Sequence, residues 1–131
     1  MRTLAFVSVA CLFLSFMQAL FQSKAADGGH AYLNLTLANH TDEEIDETAI
    51  QFGKNRCTSG ILGVGAANTY LGWQKPVGTN AIVKWRDGKQ VRREATVSLT
   101  NIYNPRIDGT LTFTINKTNV AVSFEKVTRK R

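Results

Sequence analysis

Covalent catalysis needs a nucleophile, a base that activates it and a third group that orients the base. The candidates in this chain are few. Cys57 is the one thiol outside the apolar N-terminal stretch, and His30 and His40 are the only imidazoles. A Cys57–His40 pair would have no supporting acid or oxyanion loop at a diagnostic spacing, and no Gly-x-Ser-x-Gly elbow occurs. The histidines read as turn residues and Cys57 as a small buried apolar side chain. Oxygen ligands crowd the segment that holds His40, Asp42, Glu43, Glu44, Asp46 and Glu47. That segment lacks the alternating Asp/Asn positions and the glycine of a calcium loop, so it reads as a solvated acidic loop with no metal. Gly60, Gly63 and Gly65 are not followed by the Lys-Ser/Thr of a phosphate loop. They read instead as glycines that permit a bulge or a tight approach between sheets. No cofactor is expected, and no enzymatic activity.

What remains is a surface for recognition. Tyr70, Trp73, Lys75, Trp85, Arg86, Lys89, Arg92 and Arg93 mix aromatics with cations, the side chains that most often anchor protein interfaces. Trp85, in register with Ala81 and Val83, reads as core, whereas Trp73 stands before a loop and reads as the exposed tryptophan. The expected partner-binding set is therefore Tyr70, Trp73, Lys75, Arg86, Lys89, Arg92 and Arg93. Asp42, Glu43, Glu44, Asp46 and Glu47 form a separate acidic patch. Together they predict an electrically two-sided domain suited to a protein partner with complementary charge.

The elements that carry these residues repeat with period two, the signature of strands with one buried face. Leu33, Leu35 and Leu37 alternate with Asn34 and Thr36, and a turn at Asn39-His40-Thr41-Asp42 ends the run. Residues 45–53 follow as a second strand with Thr48, Ile50 and Phe52 on one face. Residues 58–67 fit a short strand or close-packed loop, and 69–73 another strand. The clearest element is a hairpin over 80–99. Ala81, Val83 and Trp85 lead to Asp87-Gly88, the favoured dipeptide of a two-residue type I′ turn, and Val91, Arg93, Ala95, Val97 and Leu99 return. Leu111, Phe113 and Ile115, then Val120, Val122 and Phe124, make a last hairpin. About seven strands with turn signals every 8–12 residues predict an antiparallel β-sandwich, with a small β-barrel as the alternative.

An address precedes this domain. Arg2 is followed by a run from Leu4 to Leu20 without charge, and then by Ser23-Lys24-Ala25, with small residues at its first and third positions. The pattern predicts a signal peptide over residues 1–25, cleaved after Ala25, and a single domain over 26–131. Membrane contact is expected only through this segment, if it stays uncleaved. Cleavage removes Arg2 and Lys24, so 16 basic residues fall to 14 against 10 acidic ones. That bias is too weak to imply nucleic acid. One cysteine remains, which allows no internal disulfide, so burial and sheet hydrogen bonds must stabilise the domain. Asn34-Leu35-Thr36, Asn39-His40-Thr41 and Asn116-Lys117-Thr118 match the N-glycosylation pattern, which has meaning only in a eukaryotic secretory pathway.

Asn39-His40-Thr41-Asp42 with Ile45, a Gly/Cys-containing loop, Pro76-Val77 and Ile82-Val83-Lys84-Trp85 together resemble small bacterial envelope proteins. Some of these are periplasmic immunity proteins that act against type VI lipase effectors. The resemblance covers residues 37–86. It implies an exported, non-enzymatic protein-binding β-domain of the periplasm that blocks a toxin or effector, and it carries over no contact residue. The alternative expectation is a secreted or surface structural or adhesion module.

Overall fold

A computed structural model describes residues 29–128. The expected signal segment and its cleavage point lie outside the described residues. The described chain is all-β, with eight strands: β1 (Leu33–Asn39), β2 (Ile45–Phe52), β3 (Asn55–Leu62), β4 (Ala67–Tyr70), β5 (Asn80–Arg86), β6 (Arg92–Ser98), β7 (Gly109–Ile115) and β8 (Val120–Lys126). They form two four-stranded sheets, ordered β4-β1-β7-β8 and β3-β2-β5-β6, which face each other as an open sandwich.

Alternation explains the packing. Leu33, Leu35 and Leu37 on β1 and Leu111, Phe113 and Ile115 on β7 point inward from the first sheet. Ile50, Phe52, Cys57, Ala81, Val83 and Val97 meet them from the second. Phe113 and Phe52 cross edge to face, with ring centroids 6.2 Å apart. One pairing departs from an all-antiparallel sandwich: β1 and β7 run parallel, in register from Leu33↔Gly109 to Asn39↔Ile115. A parallel pair needs a long crossover, and here the second sheet and β4 supply it.

β2 does not keep one alternation. Its pairing with β3 slips between Ile45 and Thr48 and again between Thr48 and Ala49, and its pairing with β5 slips over the same stretch. Glu47 takes a left-handed φ of 49° and Gly60, opposite Thr48, one of 67°. The extra residue reverses the parity, so Ile45 and Ile50, five positions apart, both reach the core. The buried Thr48 hydroxyl donates to the Gly60 carbonyl at 2.7 Å. Gly60 thus serves the expected bulge.

The loop between β5 and β6 corrects the expected two-residue turn. Arg86 pairs with Arg92, and the Asp87 N–H donates to the Val91 carbonyl at 2.9 Å. The Gln90 N–H donates back to the Asp87 carbonyl, also at 2.9 Å, and the left-handed residue is Gln90, at φ 67°. This is a type I turn followed by a left-handed residue, the three-residue hairpin solution. Asp87 decides it. Its Oδ1 accepts the amides of Lys89 and Val91 at 2.9 Å each, and its Oδ2 accepts Arg93 Nε at 3.0 Å.

The β1–β2 connection is organised by Asn39, which is fully buried. Its Nδ2 donates toward the carbonyls of Glu43, Leu62 and Gly63 at 2.8, 3.0 and 3.1 Å. Its Oδ1 accepts the Thr41 amide at 3.0 Å and the Thr41 hydroxyl at 2.6 Å. The Asn39-His40-Thr41 pattern is therefore an internal turn-former with no free amide to modify.

Candidate binding site

The outer face of the β3-β2-β5-β6 sheet holds a hollow of about 720 Å³. Its floor is Ala49, flanked in register by Thr58 on β3 and Lys84 on β5. Ala49 lines the hollow although it is only 1% exposed. Arg56, Lys84, Arg92, Arg93, Glu47 and Glu94 are among those that line the hollow. A short residue in the middle of a sheet face, ringed by long ones, makes a depression with a charged rim.

The charges divide into two kinds. Arg86 Nη2 holds Glu47 Oε1 at 3.0 Å, and Arg93 Nε holds Asp87 Oδ2 at 3.0 Å. Arg56, Lys84 and Arg92 make no ion pair among the described residues. Lys84 stands directly across from Glu94 but does not close on it. The Asp87 carboxyl is held below the usual carboxylate range, first by the Val91 amide and further by Arg93.

The acidic patch is not a separate pole, which corrects the two-sided picture. Asp42 Oδ2 binds Lys117 Nζ at 3.0 Å, and this contact lowers its pKa. Glu43 Oε1 accepts the Gly88 amide at 3.0 Å, which docks the acidic turn against the basic hairpin loop. Glu47 is paired with Arg86, and Asp46 Oδ1 accepts the Glu47 amide at 2.6 Å. Glu44 is exposed. Glu47 and Glu43 thus tie the acidic segment to the basic hairpin, through an ion pair with Arg86 and through the Gly88 amide.

The expected recognition residues fall into two groups. Arg92 and Arg93 line the hollow, Arg86 is held by Glu47 beside it, and Lys89 is exposed on the hairpin loop. Tyr70, Trp73 and Lys75 stand elsewhere, around a cavity of about 270 Å³ at the open edge of the sandwich, where β3 and β4 lie side by side. Trp73 is 4% exposed, so the expectation of an exposed tryptophan is overturned, while Trp85 is half-buried at the margin of the core. The reason lies in Gly72. Its φ of 70° turns the chain inward, its amide donates to Asn34 Oδ1 at 3.2 Å, and the Trp73 amide donates to the Leu33 carbonyl at 2.8 Å. The indole then plugs the gap between the sheets against Phe52, with Tyr70 edge-on at 5.5 Å and Lys75 Nζ 5.9 Å from the ring centroid.

Arg56 and Thr58 on β3 line both the hollow and the edge cavity, and so join the two groups. Sequence reading passed over Arg56. Its signal was its place on the polar face of a strand, two residues from Thr58. Cys57, between them, points inward, and burial raises its thiol pKa.

The fold and the hollow define a β-sandwich with a cation-rimmed depression on one sheet. No protein-family profile matches the chain. No curated protein matches it. The NMR structure of a protein from Eubacterium rectale is similar to it, at 12% identity and a TM-score of 0.49, covering 76% of this chain and 93% of that one.

Proposed function

We propose that this chain is an exported, non-enzymatic protein-binding module whose sheet hollow takes an acidic segment of a partner protein. The supporting observation is the set of Arg56, Lys84 and Arg92, which rim the hollow without ion pairs while neighbouring Arg86 and Arg93 are neutralised internally. Cations left open around a concave face raise the encounter rate with acidic partners and fix register. In its most concrete form the partner is an antibacterial effector and the chain a periplasmic immunity protein, as the resemblance over residues 37–86 implies.

The test is titration with a hexaglutamate peptide, followed by two-dimensional NMR of the protein, with hexalysine as the control. Binding localised to β2, β3, β5 and β6 is expected, weakening with salt and falling by at least about tenfold in the Lys84→Glu/Arg92→Glu variant, since two favourable contacts become repulsive. Equal binding by the parent and the folded variant overturns the reading. The effector form is tested by co-expression with the product of an adjacent toxin gene, where failure to protect rejects it.

A further inference from the structure

An open sandwich of two sheets has four edge strands, and each must avoid unwanted pairing. Three of them carry a device that does so. β4 has only four residues. β3 is bent by the bulge opposite β2. β6 opens with three successive charged residues, Arg92, Arg93 and Glu94. β8 has none of these. It stays in unbroken register with β7 from Val120↔Ile115 to Lys126↔Gly109, with no proline or glycine and no charge before Glu125. Val120, Val122 and Phe124 face the core yet stay half-buried, because no strand follows β8 in the sheet. The ladder shows which backbone groups are open. The Asn116 amide donates to the Asn119 carbonyl and the Val127 amide to the Asp108 carbonyl, so the odd-numbered positions of β8 bond to β7. The amides and carbonyls of Val120, Val122, Phe124 and Lys126 point away from it, and among the described residues no loop hydrogen bond reaches them.

We propose that β8 is a self-pairing edge through which two copies of this chain join, antiparallel about a two-fold axis at Ser123, into one continuous sheet. Full overlap of the strand sets that register. Val122 then meets Phe124 of the second copy, and the axis repeats the contact. Ser123 meets its own equivalent, while Glu125 and Lys126 come opposite Ala121 and Val120 of the second copy. No like charges face each other, because the charged end of each strand lies against the apolar start of the other. The acidic segment proposed for the hollow finds no cation along Val120–Phe124, and the hollow lies on the other sheet. The two surfaces therefore take different partners.

Sedimentation velocity over a concentration series tests the pairing, and the parent is expected to pass from monomer to dimer. Val122→Lys removes both contacts with Phe124 and adds a cation to each strand, so the dissociation constant should rise at least about tenfold. Ser123→Cys tests the register. Its backbone bonds to β7, so Ser123 and its equivalent form a non-hydrogen-bonded pair, about 4.5 Å apart at Cα and within reach of a disulfide. Mild oxidation should link Ser123→Cys into a covalent dimer, and should link Ala121→Cys or Glu125→Cys far less, since in this register those two positions face each other. The buried Cys57 should leave the parent unlinked. Circular dichroism establishes that each variant is folded. A parent that stays monomeric at every concentration overturns the proposal and leaves β8 to a strand of another protein. An unchanged dissociation constant in the folded Val122→Lys variant, or equal cross-linking at all three positions, also overturns it.

Discussion

Replacing Asn39 by Leu keeps the approximate shape of a fully buried side chain and removes all of its polar contacts. The three carbonyls it serves are not equally dependent on it. The Gly63 carbonyl also accepts the Ala66 amide at 3.0 Å, and the Glu43 carbonyl also accepts the Thr41 hydroxyl at 2.9 Å. The contact to the Leu62 carbonyl is the one buried on both sides. Losing this buried contact costs about 1–3 kcal/mol, and each of the other two about 0.5–1 kcal/mol. The expected loss is thus about 2–5 kcal/mol, a large part of the roughly 5–15 kcal/mol that holds a domain of this size. With a urea m-value of about 1–1.5 kcal/mol/M, the midpoint should fall by about 1–5 M. Asn39→Asp should be worse than Leu, since it sets a carboxylate against three carbonyl oxygens. Urea unfolding followed by tryptophan fluorescence measures both. A loss below about 1 kcal/mol in the Leu variant, or an Asp variant as stable as the parent, would refute the role given to Asn39.

Other consequences can be checked in the same way. Because the folded Asp87 carboxyl lies below its ordinary value, its contribution to stability is complete above about pH 4 and drains away as pH falls through the folded value. Asp87→Asn should therefore cost stability at pH 7, and the gap to the parent should narrow by pH 2–3; a gap constant with pH would contradict this. Burial raises the Tyr103 pKa to about 12, so stability is complete below the unfolded value near 10 and falls as pH rises towards 12. Its hydroxyl has no hydrogen-bond partner among the described residues, so Tyr103→Phe should match or exceed the parent at pH 7 and lose less at pH 11, with the late tyrosine step gone from a titration at 295 nm. Gly109→Ala would drive a methyl group into the Phe124 ring and to 2.6 Å from the Glu125 carbonyl oxygen. Since the backbone cannot yield cheaply, the melting temperature should drop by 10 °C or more, on the order of 2 kcal/mol; a shift within 3 °C would show that the β7–β8 pair adapts.

Strands whose side chains alternate cleanly were legible from sequence, as Leu33-Leu35-Leu37 and Leu111-Phe113-Ile115 demonstrate. Period two survives wherever each residue keeps one neighbour on each side. It fails on β2, because a bulge reverses parity at Glu47 and no composition rule marks where. It also says nothing of partners, so the parallel β1–β7 register could not be read from either strand alone. Asp87-Gly88 located the hairpin but misled about its length, since the Asp87 side chain, rather than the dipeptide's φ preference, sets the loop. Trp73 was misjudged for a similar reason: proximity to a loop suggested exposure, and a single left-handed glycine before it turned the ring inward. The recognition residues were named in the right types. Their division between a hollow and an edge cavity, and the bridging Arg56, depend on strand order, which is a tertiary property.

The parallel partnership of β1 with β7 also governs when this domain can fold. Leu33 meets Gly109, and the adjoining Tyr32 amide finds the Asp108 carboxylate, 76 residues downstream. Until that late segment arrives, β1 has only the four residues of β4 beside it, and half the hydrophobic core has no second wall. Contacts of such long range bring slow, late-committing folding. During synthesis from the N-terminus, the local β2–β3 and β5–β6 pairs can form early, but the first sheet can close only once β7 has emerged. The same topology leaves the leucines of β1 uncovered until β7 arrives, so that interval is when the chain is most exposed to aggregation.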